Sequence, residues 1–152
     1  MAAQAFTLLS NAVLGLSQGK FNLGSDTFVC TLLTNSYVPA PNADTLWTTA
    51  ISATELAPGL GYNAGGLVLA SETDTLTAAT VTFTAASPSW ANFSAGPFRY
   101  AMIVRRAAAA LAATDLLLCY SDLTGAGSIS GTGGSFTVTI NVAGIFALTH
   151  TP

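Results

Sequence analysis

Short apolar runs spaced by threonine recur along this chain, each ended after a few positions by glycine, proline or serine. The clearest covers residues 27–34, Thr-Phe-Val-Cys-Thr-Leu-Leu-Thr. As an extended strand it puts Phe28, Cys30 and Leu32 on one face and Val29 and Leu33 on the other. Residues 98–105 behave alike, with Phe98, Tyr100, Met102 and Val104 opposed to Arg99, Ala101, Ile103 and Arg105. Residues 116–120 are expected to be their hairpin partner. Residues 75–85 read as one threonine-rich strand carrying Leu76, Val81 and Phe83, and threonine suits an exposed pleated surface. Residues 67–70, 136–140 and 145–148 complete the set. No long segment keeps a helical period, so the pattern predicts an all-β fold, an antiparallel β-sandwich of jelly-roll-like type.

Two segments are exceptions. Phe6, Leu9, Val13 and Leu16 are spaced as on a helix, so residues 1–23 are expected to form a short N-terminal helix or arm ahead of a single sandwich domain over residues 24–152. Within residues 46–56, Trp47, Ile51 and Leu56 fit one side of a short helix. Ser52 and Glu55 have the spacing of a capping box, which would start a turn of helix at Ser52. The remaining stretches read as connections. Residues 36–44 hold Pro39 and Pro41, Pro88 and Trp90 follow a strand, and residues 124–135 hold five glycines. The alanine-rich stretch 106–114 is too short for a stable isolated helix and reads as a hairpin loop.

Charge narrows the function. Only 7% of the 152 residues are Asp, Glu, Lys or Arg, against about 25% in ordinary soluble domains. Either partners or further copies cover part of the surface, or the surface is polar through Thr, Ser and Asn without being charged. The four cations, Lys20, Arg99, Arg105 and Arg106, make no basic stripe, so nucleic acid is not an expected partner. No apolar run approaches the ~20 residues of a membrane span. The N-terminal stretch lacks the positive region of a signal peptide and is expected to belong to the mature protein.

Catalytic chemistry finds little support, and no catalytic, cofactor-binding or metal residues are assigned. The one histidine, His150, lies two residues from the end, where a general base has no fixed pocket. Glu72 and Asp74 are the one close acidic pair and read as solvated loop charges. Cys30 and Cys119 sit inside apolar runs and read as buried free thiols, a disulfide requiring an oxidising compartment. Trp47, Tyr62, Trp90, Phe93 and Tyr100 would serve either as a sugar-binding platform or as core and interface.

The run from Gly19 to Pro39, with its Ser-Asp-Thr turn and its Leu-Thr-Asn-Ser-Tyr-Val-Pro ending, resembles the opening of a group of small tailed-phage virion proteins. In order there follow Trp47 ahead of Ile-Ser-Ala-Thr-Glu-Leu, Gly61-Tyr62-Asn-Ala-Gly65-Gly66, a threonine-rich strand, Trp90, Arg99-Tyr-Ala-Met-Ile-Val and a closing Phe-Thr-Val-Thr-Ile-Asn. The chain departs from the group at 106–114, alanine-rich here where the group carries charged and polar residues. The resemblance implies a capsid decoration, or cement, protein. Such a protein is made in the host cytoplasm, forms a homotrimer, and sits on the capsid exterior against the major capsid protein. A tail or fibre component binding a host glycan is the alternative. The candidate interface residues are Phe6, Leu9, Val13 and Leu16, then Tyr37 and Val38, then Arg105, Arg106 and Leu111.

Overall fold

A computed structural model describes residues 4–149, and His150 lies outside the described residues. Ten strands and two short helices follow in the order β1 (Thr7–Leu8), α1 (Ser10–Ser17), β2 (Thr27–Leu33), α2 (Thr49–Ser52), β3 (Leu67–Val68), β4 (Thr73–Thr77), β5 (Thr80–Thr84), β6 (Ser89–Phe93), β7 (Tyr100–Arg106), β8 (Leu116–Asp122), β9 (Gly134–Thr137) and β10 (Phe146–Thr149). They make a five-stranded sheet β1-β8-β7-β2-β3, a three-stranded sheet β10-β5-β4 and the pair β6-β9, with antiparallel strand pairing throughout. The division is five, three and two rather than four and four. The description that stands is an all-β, sandwich-like fold, not specifically a jelly roll.

The central strands explain why simple alternation understates β2. It lies between β7 and β3, and every residue from Phe28 to Leu33 is buried. β7 is likewise buried from Tyr100 to Val104. A strand covered on both faces reads as a continuous apolar run. The Phe28 ring meets Phe83 of β5 at 5.3 Å and so ties the large sheet to the three-stranded one. Trp90, Phe93, Phe98 and Phe136 extend the core through ring contacts of 4.9–6.3 Å. Trp90 therefore belongs to a strand, not to the loop expected there, because β9 supplies its pairing partner.

The two cysteines are free and buried. Cys30 pairs with Ile103, and Ile103 pairs with Cys119 on its other side. They are thus two strand spacings apart, about 10 Å, beyond the ~7 Å Cα separation a disulfide tolerates.

Residues 75–85 are two strands, not one. β4 and β5 form a hairpin through Ala78 and Ala79. Ala78 takes φ 54°, a left-handed conformation ordinarily given to glycine. No glycine or asparagine marks the turn in the sequence, which is why it reads as continuous strand. Ala78→Gly is expected to stabilise the chain by about 0.5–1 kcal/mol, since the left-handed penalty on a Cβ of ~1–2 kcal/mol is partly offset by the extra freedom of glycine when unfolded. A urea midpoint no higher than that of the native chain would count against this.

The N-terminal segment is built into the sheet rather than set apart as an arm. β1 pairs with β8, and the Leu9 amide donates to the Leu118 carbonyl at 3.1 Å. The helix is present, but its inner side is Ala12 and Gly15. Small residues there let the Phe21 ring lie against the helix: a Cβ on Gly15 would come within 2.7 Å of it. At 46–56 the helix ends where the capping-box spacing would have started it. Thr48 is the cap, accepting from the Ile51 amide at 3.4 Å, and Glu55 is used elsewhere.

Candidate interaction surface

The loop 36–44 and the first turn of α1 form one edge of the molecule. The Ser10 amide donates to the Pro41 carbonyl at 2.9 Å, and the Ser10 hydroxyl donates to Asn42 Oδ1 at 2.7 Å. Inside the loop Asp44 Oδ2 accepts from the Tyr37 hydroxyl at 2.6 Å and from the Ala40 amide at 3.0 Å. Tyr37 is thereby turned inward, where it meets Tyr100 edge-on at 5.4 Å. Burial, and then the Asp44 carboxylate, hold its hydroxyl far above the usual tyrosine range.

This edge sorts the expected interface residues by what the fold has already used. Leu9 and Tyr37 belong to the chain's own core, and Phe6 and Leu16 are half-buried against it. Val13 and Val38 face solvent at 46% and 79% exposure. Leu14, which helical spacing did not single out, stands beside Val13 at 53%. Its signal in the sequence is weak: a leucine one position off the expected stripe becomes visible only once Ala12 and Gly15 are known to face inward.

A second feature lies at the far end of β7. A cleft of about 380 Å³ is lined by Trp47, Thr49, Ser52 and Glu55, by the turn 64–66, by Arg106, and by Leu111 in the alanine-rich loop. One wall is fixed by Glu55, whose Oε1 accepts from the Tyr62 hydroxyl at 2.7 Å and from the Gly65 amide at 2.6 Å. Burial raises the Glu55 carboxyl above the ordinary range, and those two donors oppose the rise. The alanine-rich loop that supplies Ala109 to Leu111 and Ala113 to the lining is held by Asp115, which is buried and accepts from the amides of Ala107 and Ala112 at 3.0 and 2.8 Å. Asp115 thus closes the alanine-rich hairpin, whose sequence has no turn residue of its own.

The arginines divide. Arg105 donates to Asp26 at 2.8 Å, and Arg99 pairs with Asp122 at 2.6 Å, holding that carboxyl down at about 2. Arg106 has no ion pair among the described residues, and its Nε is shielded from solvent without a hydrogen-bond partner.

The aromatic platform is not available to a sugar. Trp47, Tyr62, Trp90, Phe93 and Tyr100 are all buried within the chain. Asp74 is exposed on β4 with Glu72 just before it, and among the described residues no three His, Cys, Asp or Glu side chains gather as a metal site would need. Comparison with models of protein families, with curated proteins and with solved structures finds no match for this chain.

Proposed function

We propose that this chain is a capsid decoration protein of a tailed phage, a homotrimer that binds the major capsid protein on the outside of the shell and braces it. The observation that carries the reading is the exposure of Val13 and Leu14 on α1 and of Val38 on the loop hydrogen-bonded to its first turn, on a chain with so few charges. Single exposed apolar side chains are ordinary. Two on adjacent helical positions, with a third on the loop clasped to that helix, make a surface suited to burial against protein. The ordered resemblance to small virion proteins adds to it, and many such modest contacts become tight when several subunits engage one shell.

The test is solution mass by light scattering, followed by co-sedimentation with undecorated shells of the parent phage. A trimer that pellets with the shells is expected. A monomer that stays in the supernatant overturns the reading and moves the tail-component alternative ahead. Because the N-terminal segment is part of the sheet, deleting it would damage the fold, so the edge is better tested by substitution. The triple change Val13→Ser, Leu14→Ser, Val38→Ser is expected to alter stability by less than about 1 kcal/mol, as exposed positions do, while lowering shell occupancy at least tenfold. Unchanged occupancy would remove this edge from the contact.

A further inference from the structure

We propose that the cleft beside β7 receives a carboxylate side chain from a partner protein, held by Arg106. The inference rests on the reading of this chain as a docking module and names the chemistry of one contact. Three observations lead to it. Arg106 ends β7 and pairs with Thr27 of β2, so its backbone is held by the central sheet. A cation carried on such a scaffold is positioned more firmly than one on a loop. The acid of the cleft and the acid of its adjoining loop are already engaged: Glu55 Oε1 is held by a hydroxyl and an amide, and Asp115 by two backbone amides. Neither lies within ion-pair distance of Arg106, although its neighbour Arg105 has found Asp26 and Arg99 has found Asp122.

Arg106, half-buried with its Nε shielded from solvent, is therefore the unmatched charge of a recess that Trp47 and Leu111 also line. Arginine recognises carboxylates through its planar donor fork. A pocket of this size takes one side chain and its flanking backbone, and arginine in a partly desolvated pocket with aromatic and aliphatic walls is a common anchor of protein interfaces. An acidic residue on a loop of the partner fits all of these. A neutral or basic residue leaves the charge unmatched.

The probe is the blocked tripeptide acetyl-Ala-Glu-Ala-amide, titrated into the whole protein while the Trp47 indole and the Gly65 and Gly66 amides are followed by NMR. Saturable shifts at those three positions are expected. The glutamine tripeptide should bind at least tenfold more weakly, because charge-assisted hydrogen bonds exceed neutral ones by about that factor. Arg106→Gln should lose the response, and Arg106→Lys should keep part of it. Equal binding of the two peptides, an unchanged response in Arg106→Gln, or no response to either peptide overturns the proposal. Since no shell is present, the outcome is separate from that of co-sedimentation. An acid-binding cleft on a protein that ignores shells leaves the inference standing and removes the capsid reading; shell binding that survives Arg106→Gln does the reverse for this contact.

Discussion

Gly66→Ala is expected to cost at least about 4 kcal/mol, a large share of the roughly 5–15 kcal/mol that holds an ordinary domain folded. Gly66 follows the turn that carries the Glu55 hydrogen bond and enters β3 with φ 68°. A Cβ there would overlap the carbonyl oxygen of Cys30 and lie 2.7 Å from its carbon and 2.9 Å from Thr31 Cα. These are backbone atoms of β2, buried and paired to β7, so they cannot yield without disturbing the central sheet. Gly65 is the control. Its φ is 86°, but no atom lies within 4 Å of an added Cβ. Gly65→Ala therefore meets only the left-handed strain of about 1–2 kcal/mol. Urea midpoints for the two variants by tryptophan fluorescence make the comparison. Gly66→Ala within 1 kcal/mol of the native chain would mean that β3 does not approach β2 this closely.

That glycine pair illustrates what the sequence made legible. Gly65-Gly66 announces a break before a strand, and the break is there. The reason for the second glycine, contact with the Cys30 carbonyl, depends on a segment 36 residues earlier. The central strands were readable for a local reason: a short, mostly apolar run bounded by polar residues has few other uses where no helical period is kept. Their double burial was not, because it depends on which strands become neighbours. The β4-β5 hairpin escaped because Ala78 and Ala79 carry no turn signal. Ser52 and Glu55 gave a signal that the fold did not use: Thr48 took the cap, and Glu55 went to Tyr62 and Gly65.

The interface residues divide for the same reason. Apolar spacing marks residues that need burial but does not say against what. Leu9 and Tyr37 found it within the chain, while Val13 and Val38 did not. Arg105 and Arg106 are adjacent and chemically alike, yet as neighbours on a strand they point to opposite faces. Asp26 lies within reach of the one and not the other. An unmatched charge is a property of three-dimensional placement, and no local pattern could have separated the two.

The chain is expected to tolerate acid far better than base. Cys30 is fully enclosed, and burial pushes its thiol from 9.0 up to about 12. Cys119 is raised well above its usual value by burial and then by the Cys30 thiol. Once unfolded, both thiols ionise near pH 9, while the folded chain keeps them protonated. Their contribution is thus complete below pH 9 and is lost as pH rises towards 12. At ~1.4 kcal/mol per pKa unit, Cys30 alone accounts for a loss on the order of 4 kcal/mol across that window. Tyr62 and Tyr37 act in the same sense, each raised first by burial. On the acid side the raised Glu55 favours the folded state as it takes up a proton, because the folded chain binds that proton more tightly. The Arg99–Asp122 pair opposes this, and it is partly exposed and screened by solvent. Urea midpoints at pH 5, 7, 9 and 10.5 should therefore hold through the first three and fall steeply at the last. Cys30→Ala, less stable at pH 7 for its small cavity, should show a shallower alkaline fall. The same drop in native and Cys30→Ala chains would assign the alkaline loss to the tyrosines, and no drop at pH 10.5 would show that the thiols are less enclosed than the sheet geometry requires.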